Sequence, residues 1–272
     1  MNNTAKRIIV SAIAIPLIVA ACYLGKIYFF IFASIIALVS FQELSVMVKN
    51  KGANVNLVFG LIAVFILLAN QFQHFLDNQS LLLLIVIFAV IFELFSNNGS
   101  PVLNIGSTLL GIFYIGLFSA SLISIREFYP NVGYLYNWGG YLIISILATI
   151  WICDSAAFFL GVAYGKHKMF PRVSPKKSWE GTISGFIFAI ITMVAAHFIV
   201  LDFLSLKDSI LIGAIIGIIG QVGDLVESLL KRDCEVKDSS SLVPGHGGIF
   251  DRFDSLLLSA PVILLYLKYF GR

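Results

Sequence analysis

The segment from Gln221 to Asp254 reads QVGDLVESLLKRDCEVKDSSSLVPGHGGIFDRFD and concentrates acids, lysines and arginines at the junction of two apolar runs. Charges at such a junction are expensive in a low-dielectric setting and call for partners. Asp224 lies about 9 Å, one and a half helical turns, inside the end of the first run. An isolated carboxylate at that depth takes up a proton or acquires a cation. Asp251 and Asp254 are spaced i, i+3 at the start of the second run and share a helix face. The spacing therefore predicts that Asp224 and Asp251 converge on one ion from adjacent helices. Oxygen ligands without a His or Cys cluster favour a hard cation, and Mg²⁺ held by one or two carboxylates together with phosphates is the common arrangement. Lys231, Arg232, Lys237 and Arg252 would neutralise phosphate oxygens around it. The turn Pro244 to Gly248, with His246, Gly247 and Gly248, can bring backbone N–H groups close to a phosphate. These parts together describe a phosphoryl or nucleotidyl transfer site.

The elements that must position these residues follow from composition. Of 272 residues 59% are hydrophobic and 12% charged, about half the charge of an ordinary soluble domain. Runs such as Leu81 to Phe92 are apolar on every face, which excludes the alternating pattern of a membrane β-barrel. The expected fold class is all-α, a polytopic membrane protein with about nine transmembrane helices, near 8–25, 28–48, 55–76, 81–96, 103–125, 139–164, 181–204, 209–230 and 253–270. The first is read as a retained helix, since no cleavage signal follows Lys6 and Arg7. The eighth carries Gly213, Gly217, Gly220 and Gly223 at small-x-x-x-small spacings, the mark of a packing helix. Residues 1–100 are expected to form N-terminal transmembrane helices and 101–272 a catalytic region with loops at 165–180 and 231–252. With nine spans, thirteen of the eighteen Lys and Arg residues fall on the side of the N-terminus and of both loops. The positive-inside rule makes that side cytoplasmic.

The residues also carry a resemblance. Ser228-x-x-Lys231-Arg232, Lys237-Asp238 and Pro244-x-His246-Gly247-Gly248-x-x-Asp251-Arg252-x-Asp254 are similar to the signature of the CDP-diacylglycerol synthases, also called phosphatidate cytidylyltransferases. Val243 stands where that pattern usually has a larger aliphatic residue. A separate stretch, Asp154 to Gly161 followed by Ser174-Pro-Lys-Lys-Ser-Trp-Glu-Gly181, resembles the same family. The motifs cover about 150–254, and residues 1–140 match in hydropathy and size alone. The resemblance implies the reaction CTP + phosphatidate → CDP-diacylglycerol + pyrophosphate. Asp224, Lys231, Lys237, Asp251 and Arg252 are then expected to do the chemistry, with Asp224 and Asp251 holding Mg²⁺. Lys176, Lys177, Ser178, Glu180, Arg232, His246, Gly247 and Gly248 are expected to hold the nucleotide, with Glu180 orienting a lysine or a metal-bound water. A second, monovalent cation is left open. The family further implies a homodimer; the charge count puts the active site toward the cytoplasm, and the chain is expected in the inner (plasma) membrane among its lipids, with no nucleic-acid partner.

Other charged and reactive residues have plainer readings. Cys22, Cys153 and Cys234 form no C-x-x-C pair and are expected to be buried thiols rather than a disulfide or zinc framework. Glu43 and Glu93 lie near helix ends, where snorkelling or local pairing accounts for them. Asp154 is either a third carboxylate of the site or a structural partner of a lysine. His74 and His197 are read as helix-surface or packing residues, and His167 as part of a solvated basic loop. Gly161 to Lys166 has the wrong spacing for a nucleotide-binding P-loop. A secondary transporter would place interrupted helices and acids in both halves of the chain, whereas here the charge gathers in one.

Overall fold

The computed structural model describes residues 3–242 and 247–271, with side chains from Ser11 onward. Eleven α-helices occur among the described residues: α1 Asn3–Leu24, α2 Lys26–Met47, α3 Leu57–Gln73, α4 Asn78–Leu94, α5 Pro101–Leu110, α6 Phe118–Arg126, α7 Leu135–Tyr164, α8 Trp179–Ile199, α9 Leu206–Ile215, α10 Gln221–Asp233 and α11 Phe250–Tyr269. The backbone runs as wider π turns at Gly111–Leu117 and Ile216–Gly220, so α5 continues into α6 and α9 into α10. Five of the described helical stretches are long and apolar enough to cross a membrane: Lys26–Lys51, Pro101–Arg126, Leu135–Tyr164, Trp179–Ile199 and Leu206–Asp233. The apolar stretches Ser11–Leu24, Leu57–Gln73 and Asn78–Leu94 are shorter.

Local sequence explains where the helices start. Asn56, Asp77 and Ser205 each accept a hydrogen bond from the backbone N–H three residues on, and Pro101 occupies the first turn of α5. Such caps satisfy N–H groups that have no partner within the helix. One departure from an all-α architecture lies in the loop expected at 165–180. Lys168–Phe170 (β1) and Ser174–Ser178 (β2) pair antiparallel, with Lys168 opposite Ser178 and Phe170 opposite Ser174. Helical periodicity does not reveal so short a ribbon, because its order comes from cross-strand pairing.

The chain divides into two compact units, each built from three stretches of sequence, so the division does not follow one cut along the chain. The first unit comprises 1–18, 26–124 and 230–253. In it α2 packs on α3, and Phe41 of α2 lies against Gly60 of α3 and Gly111. The second unit comprises 19–25, 125–229 and 254–272. Here α7 packs along α8 and α8 along α9, with Gly213 against Ala189 and Ile190 and Gly217 against Phe186. The glycine spacing thus serves close helix packing, as its pattern predicted.

A buried cation closes the end of α1 within the second unit. Arg126 is fully buried. Its Nε donates to the Cys22 carbonyl at 2.6 Å, and its two terminal nitrogens to the Tyr23 and Tyr136 carbonyls at 2.8 and 3.2 Å. Cys22 and Tyr23 are among the last residues of α1, whose carbonyls lack partners in the helix and carry its negative dipole end.

Candidate active site

In the second unit, three acids meet beside a lysine. Asp224 and Glu227 are one turn apart on α10, and Asp254 comes from α11. Each offers a carboxylate oxygen within 4.8 Å of the others. Glu227 is fully buried and Asp254 is 9% exposed. Lys177 Nζ lies 2.8 Å from Asp224 Oδ2 and also donates to the Gln221 carbonyl at 3.3 Å.

Several local features bring these groups together. The π turn Ile216–Gly220 inserts an extra residue just before α10, and one residue rotates α10 by about 100° relative to an uninterrupted α-helix. Gln221 Nε2 then ties the start of α10 to the Thr182 and Gly217 carbonyls at 3.0 and 2.6 Å. Gly223 lets α11 come near: a Cβ there would stand 2.7 Å from the Asp254 carbonyl and 3.1 Å from Ser255 Cα. Without a side chain at 223, Asp254 can sit beside Asp224.

The ribbon presents the lysines. Burial rises along β2 toward α8, so Lys176 is exposed while Lys177 is partly buried. Ser178 is buried and caps α8, accepting from Gly181 N at 3.3 Å. Glu180 accepts from the His167 backbone at 3.2 Å and faces His167 Nδ1 at 2.6 Å. Both residues therefore shape the turn that carries the lysines.

Three carboxylates this close repel one another, and removing them from water weakens solvent screening. Their donor set is all oxygen, which suits a hard divalent cation bound through carboxylates and substrate phosphates. The carboxylates that meet in the second unit are Asp224, Glu227 and Asp254; Asp251, expected from the sequence to join Asp224, lies in the first unit. Helical spacing could not decide between Asp251 and Asp254, since both lie in the first turn of α11.

In the first unit Asp251 is engaged on both oxygens. Lys231 Nζ donates to Oδ1 at 2.6 Å. Ser239 N, Ser239 Oγ and Gly248 N stand 3.0, 2.9 and 2.7 Å from Oδ2. Gly247 has the left-handed φ of 80° that favours glycine, which turns the chain into this contact. Arg232, Lys237 and Arg252 are exposed. His246 lies outside the described residues.

Glu43 departs from its plain reading. It is 5% exposed, and its carboxylate accepts from Ser240, Ile249 and Phe250 and faces Ser239 Oγ, about two hundred residues away in sequence. Its partners are serine hydroxyls and backbone amides, so no charge pattern signals it. Glu93 does pair locally, accepting from Asn104 Nδ2 at 2.6 Å. Asp154 is exposed on α7 and close enough to Asp254 for their charges to interact. The three cysteines are buried and free, as expected.

Comparison with known proteins adds an independent line. A sequence model described as the Cytidylyltransferase family matches residues 5–270. A phosphatidate cytidylyltransferase of Bacillus subtilis is 30% identical over the whole of both chains. One from Staphylococcus aureus is 31% identical over 96% of this chain and 98% of its own. One from Haemophilus influenzae is 42% identical over 45% of this chain and 44% of its own.

Proposed function

The chain belongs to the cytidylyltransferase family, and from that premise we propose that it is a phosphatidate cytidylyltransferase, converting CTP and phosphatidate to CDP-diacylglycerol and pyrophosphate. The observation that carries this reading is the group Asp224, Glu227 and Asp254 beside Lys177, in a chain whose full-length relatives bear that activity's name.

An oxygen of the lipid phosphate attacks the α-phosphorus of CTP. A new P–O bond forms as the bond to the bridging oxygen breaks, and pyrophosphate leaves with that electron pair. A phosphate monoester has a second pKa near 6 and is largely dianionic at neutral pH, so the nucleophile needs no dedicated base. The work left to the protein is to bring two anions together and to stabilise charge on the leaving group.

Lys176 and Lys177 serve the triphosphate, with Ser178 and Glu180 shaping the turn that presents them. Lys231, held by Asp251, and the exposed Arg232, Lys237 and Arg252 supply further positive charge for phosphate oxygens, and Gly247 and Gly248 let backbone come close. Asp224, Glu227 and Asp254 would hold Mg²⁺. When bound, this ion neutralises triphosphate oxygens as a Lewis acid. The surrounding topology is read as about nine spans in the plasma membrane, with the basic segments cytoplasmic and the enzyme a homodimer.

The test is purified protein in detergent with labelled CTP, phosphatidate and Mg²⁺. CDP-diacylglycerol should form, and an Asp224→Asn, Asp254→Asn double variant should make at least about a hundredfold less. Absence of product from the unaltered protein, or equal product from the double variant, would sink the reading. A polyprenyl phosphate acceptor and dATP, run in parallel, test lipid and base choice. Replacing K⁺ by choline tests use of a monovalent cation.

A further inference from the structure

Glu43 has no place in the chemistry just described, yet it holds part of the segment that performs it. Its Oε1 accepts from Ser240 Oγ at 2.6 Å and Ile249 N at 3.0 Å. Its Oε2 accepts from Phe250 N at 2.8 Å and faces Ser239 Oγ at 3.0 Å. An ionised carboxylate is acceptor-only, with about four lone-pair sites; three are met by Ser240, Ile249 and Phe250, and the Ser239 hydroxyl, with one proton, lies between this carboxylate and Asp251.

Two of those partners are backbone N–H groups at the opening of α11, which have no acceptor within the helix. Glu43 thus acts as an N-terminal cap supplied by another helix, and its negative charge suits that end of the helix dipole. The fit is close. A Cβ on Gly248 would overlap Ser239 Oγ and come within 2.5 Å of both Glu43 oxygens.

The contact continues to the basic residue. Ser239 Oγ lies between Glu43 and Asp251, and the Asp251 oxygen on the far side receives Lys231. Lys231 is placed by Asp251, Asp251 by the backbone N–H groups of Ser239 and Gly248, and the adjoining Ile249 and Phe250 by Glu43. All four residues lie in the first unit.

We propose that Glu43 is a positioning residue for the transfer reaction: it anchors Ser240, Ile249 and Phe250, beside Ser239, so that Asp251 holds Lys231 where phosphate charge develops. It touches no substrate itself. The inference rests on the cytidylyltransferase reading.

The test is steady-state kinetics of Glu43→Gln. Glutamine keeps the size but offers one acceptor oxygen and turns an NH₂ donor toward groups that are themselves donors. The expected result is a fall in kcat of about 10- to 100-fold, with KM for CTP and for phosphatidate each within about threefold of the unaltered enzyme. In an Asp251→Asn background the same substitution should cost less than about threefold, because coupled residues are not additive. A Ser239→Ala, Ser240→Ala variant, which leaves α2 untouched, should show the same split with a smaller loss, about three- to tenfold.

Unchanged kcat in folded Glu43→Gln, a loss confined to KM, or full additivity with Asp251→Asn overturns the proposal. Where Glu43→Gln does not fold, the serine variant decides, and an unchanged kcat there overturns it. An inactive unaltered protein removes the reaction reading and this inference together, whereas an active protein indifferent to these substitutions removes this inference alone.

Discussion

Asp251 and Asp254 are three residues apart, yet their surroundings differ. Asp254 faces two other acids and Lys231 pairs with Asp251. A carboxylate among carboxylates is suited to a cation, while one already bonded to an ammonium and to backbone N–H groups is suited to fixing geometry. Titrating activity with Mg²⁺ should separate the roles. Asp254→Asn is expected to raise the half-maximal Mg²⁺ concentration at least about tenfold. Asp251→Asn should lower kcat and leave that concentration within about threefold. The opposite pattern would return Asp251 to the metal. Which acid faces which partner was not legible from type and spacing, because the choice depends on a helix whose rotation is set by distant contacts.

At the scale of elements, the site depends on backbone proximity as much as on charge. Gly223 admits the Asp254 carbonyl beside it. Gly223→Ala should force α10 and α11 apart, with an overpacking cost of roughly 1–3 kcal/mol and at least about a tenfold loss of activity. Wild-type turnover in that variant would mean that the close approach is dispensable. Arg126 tests a different element. Replacing it by Ala leaves α1 carbonyls without their donors, at a cost on the order of 3 kcal/mol, read as a lowered thermal midpoint in detergent. Lys keeps the charge but lacks the planar fork and should fall between Arg and Ala. Hydropathy located these helices to within a few residues. It could not show the π turn before α10, since both helix forms present the same apolar composition.

For the whole molecule, the distribution of Lys and Arg makes an orientation prediction that needs no knowledge of the site. The native cysteines are nearly inaccessible, with Cys22, Cys153 and Cys234 at 0%, 2% and 3% exposure. A cysteine introduced at exposed Lys176 should therefore report with little background. A membrane-impermeant maleimide is expected to label Lys176→Cys after permeabilisation and not in intact cells. Labelling in intact cells would reverse the assigned orientation. Each compact unit also draws on stretches far apart in the chain. The first unit sets Glu43 on α2 against Ser239 and Phe250, so the early helices take part in shaping the late motif. From sequence, residues 1–140 offered hydropathy and little else. The amino-acid order did determine the helical membrane character and the family, because composition, charge bias and motif spacing are local properties. The tertiary structure decided that Asp254 and Glu227 stand with Asp224, that Asp251 holds Lys231, and that Glu43 accepts from Ser240, Ile249 and Phe250. These are contacts between segments as much as 207 residues apart, and they arise where backbone meets backbone and hydroxyl or amide meets carboxylate, interactions that leave no periodic mark in the sequence.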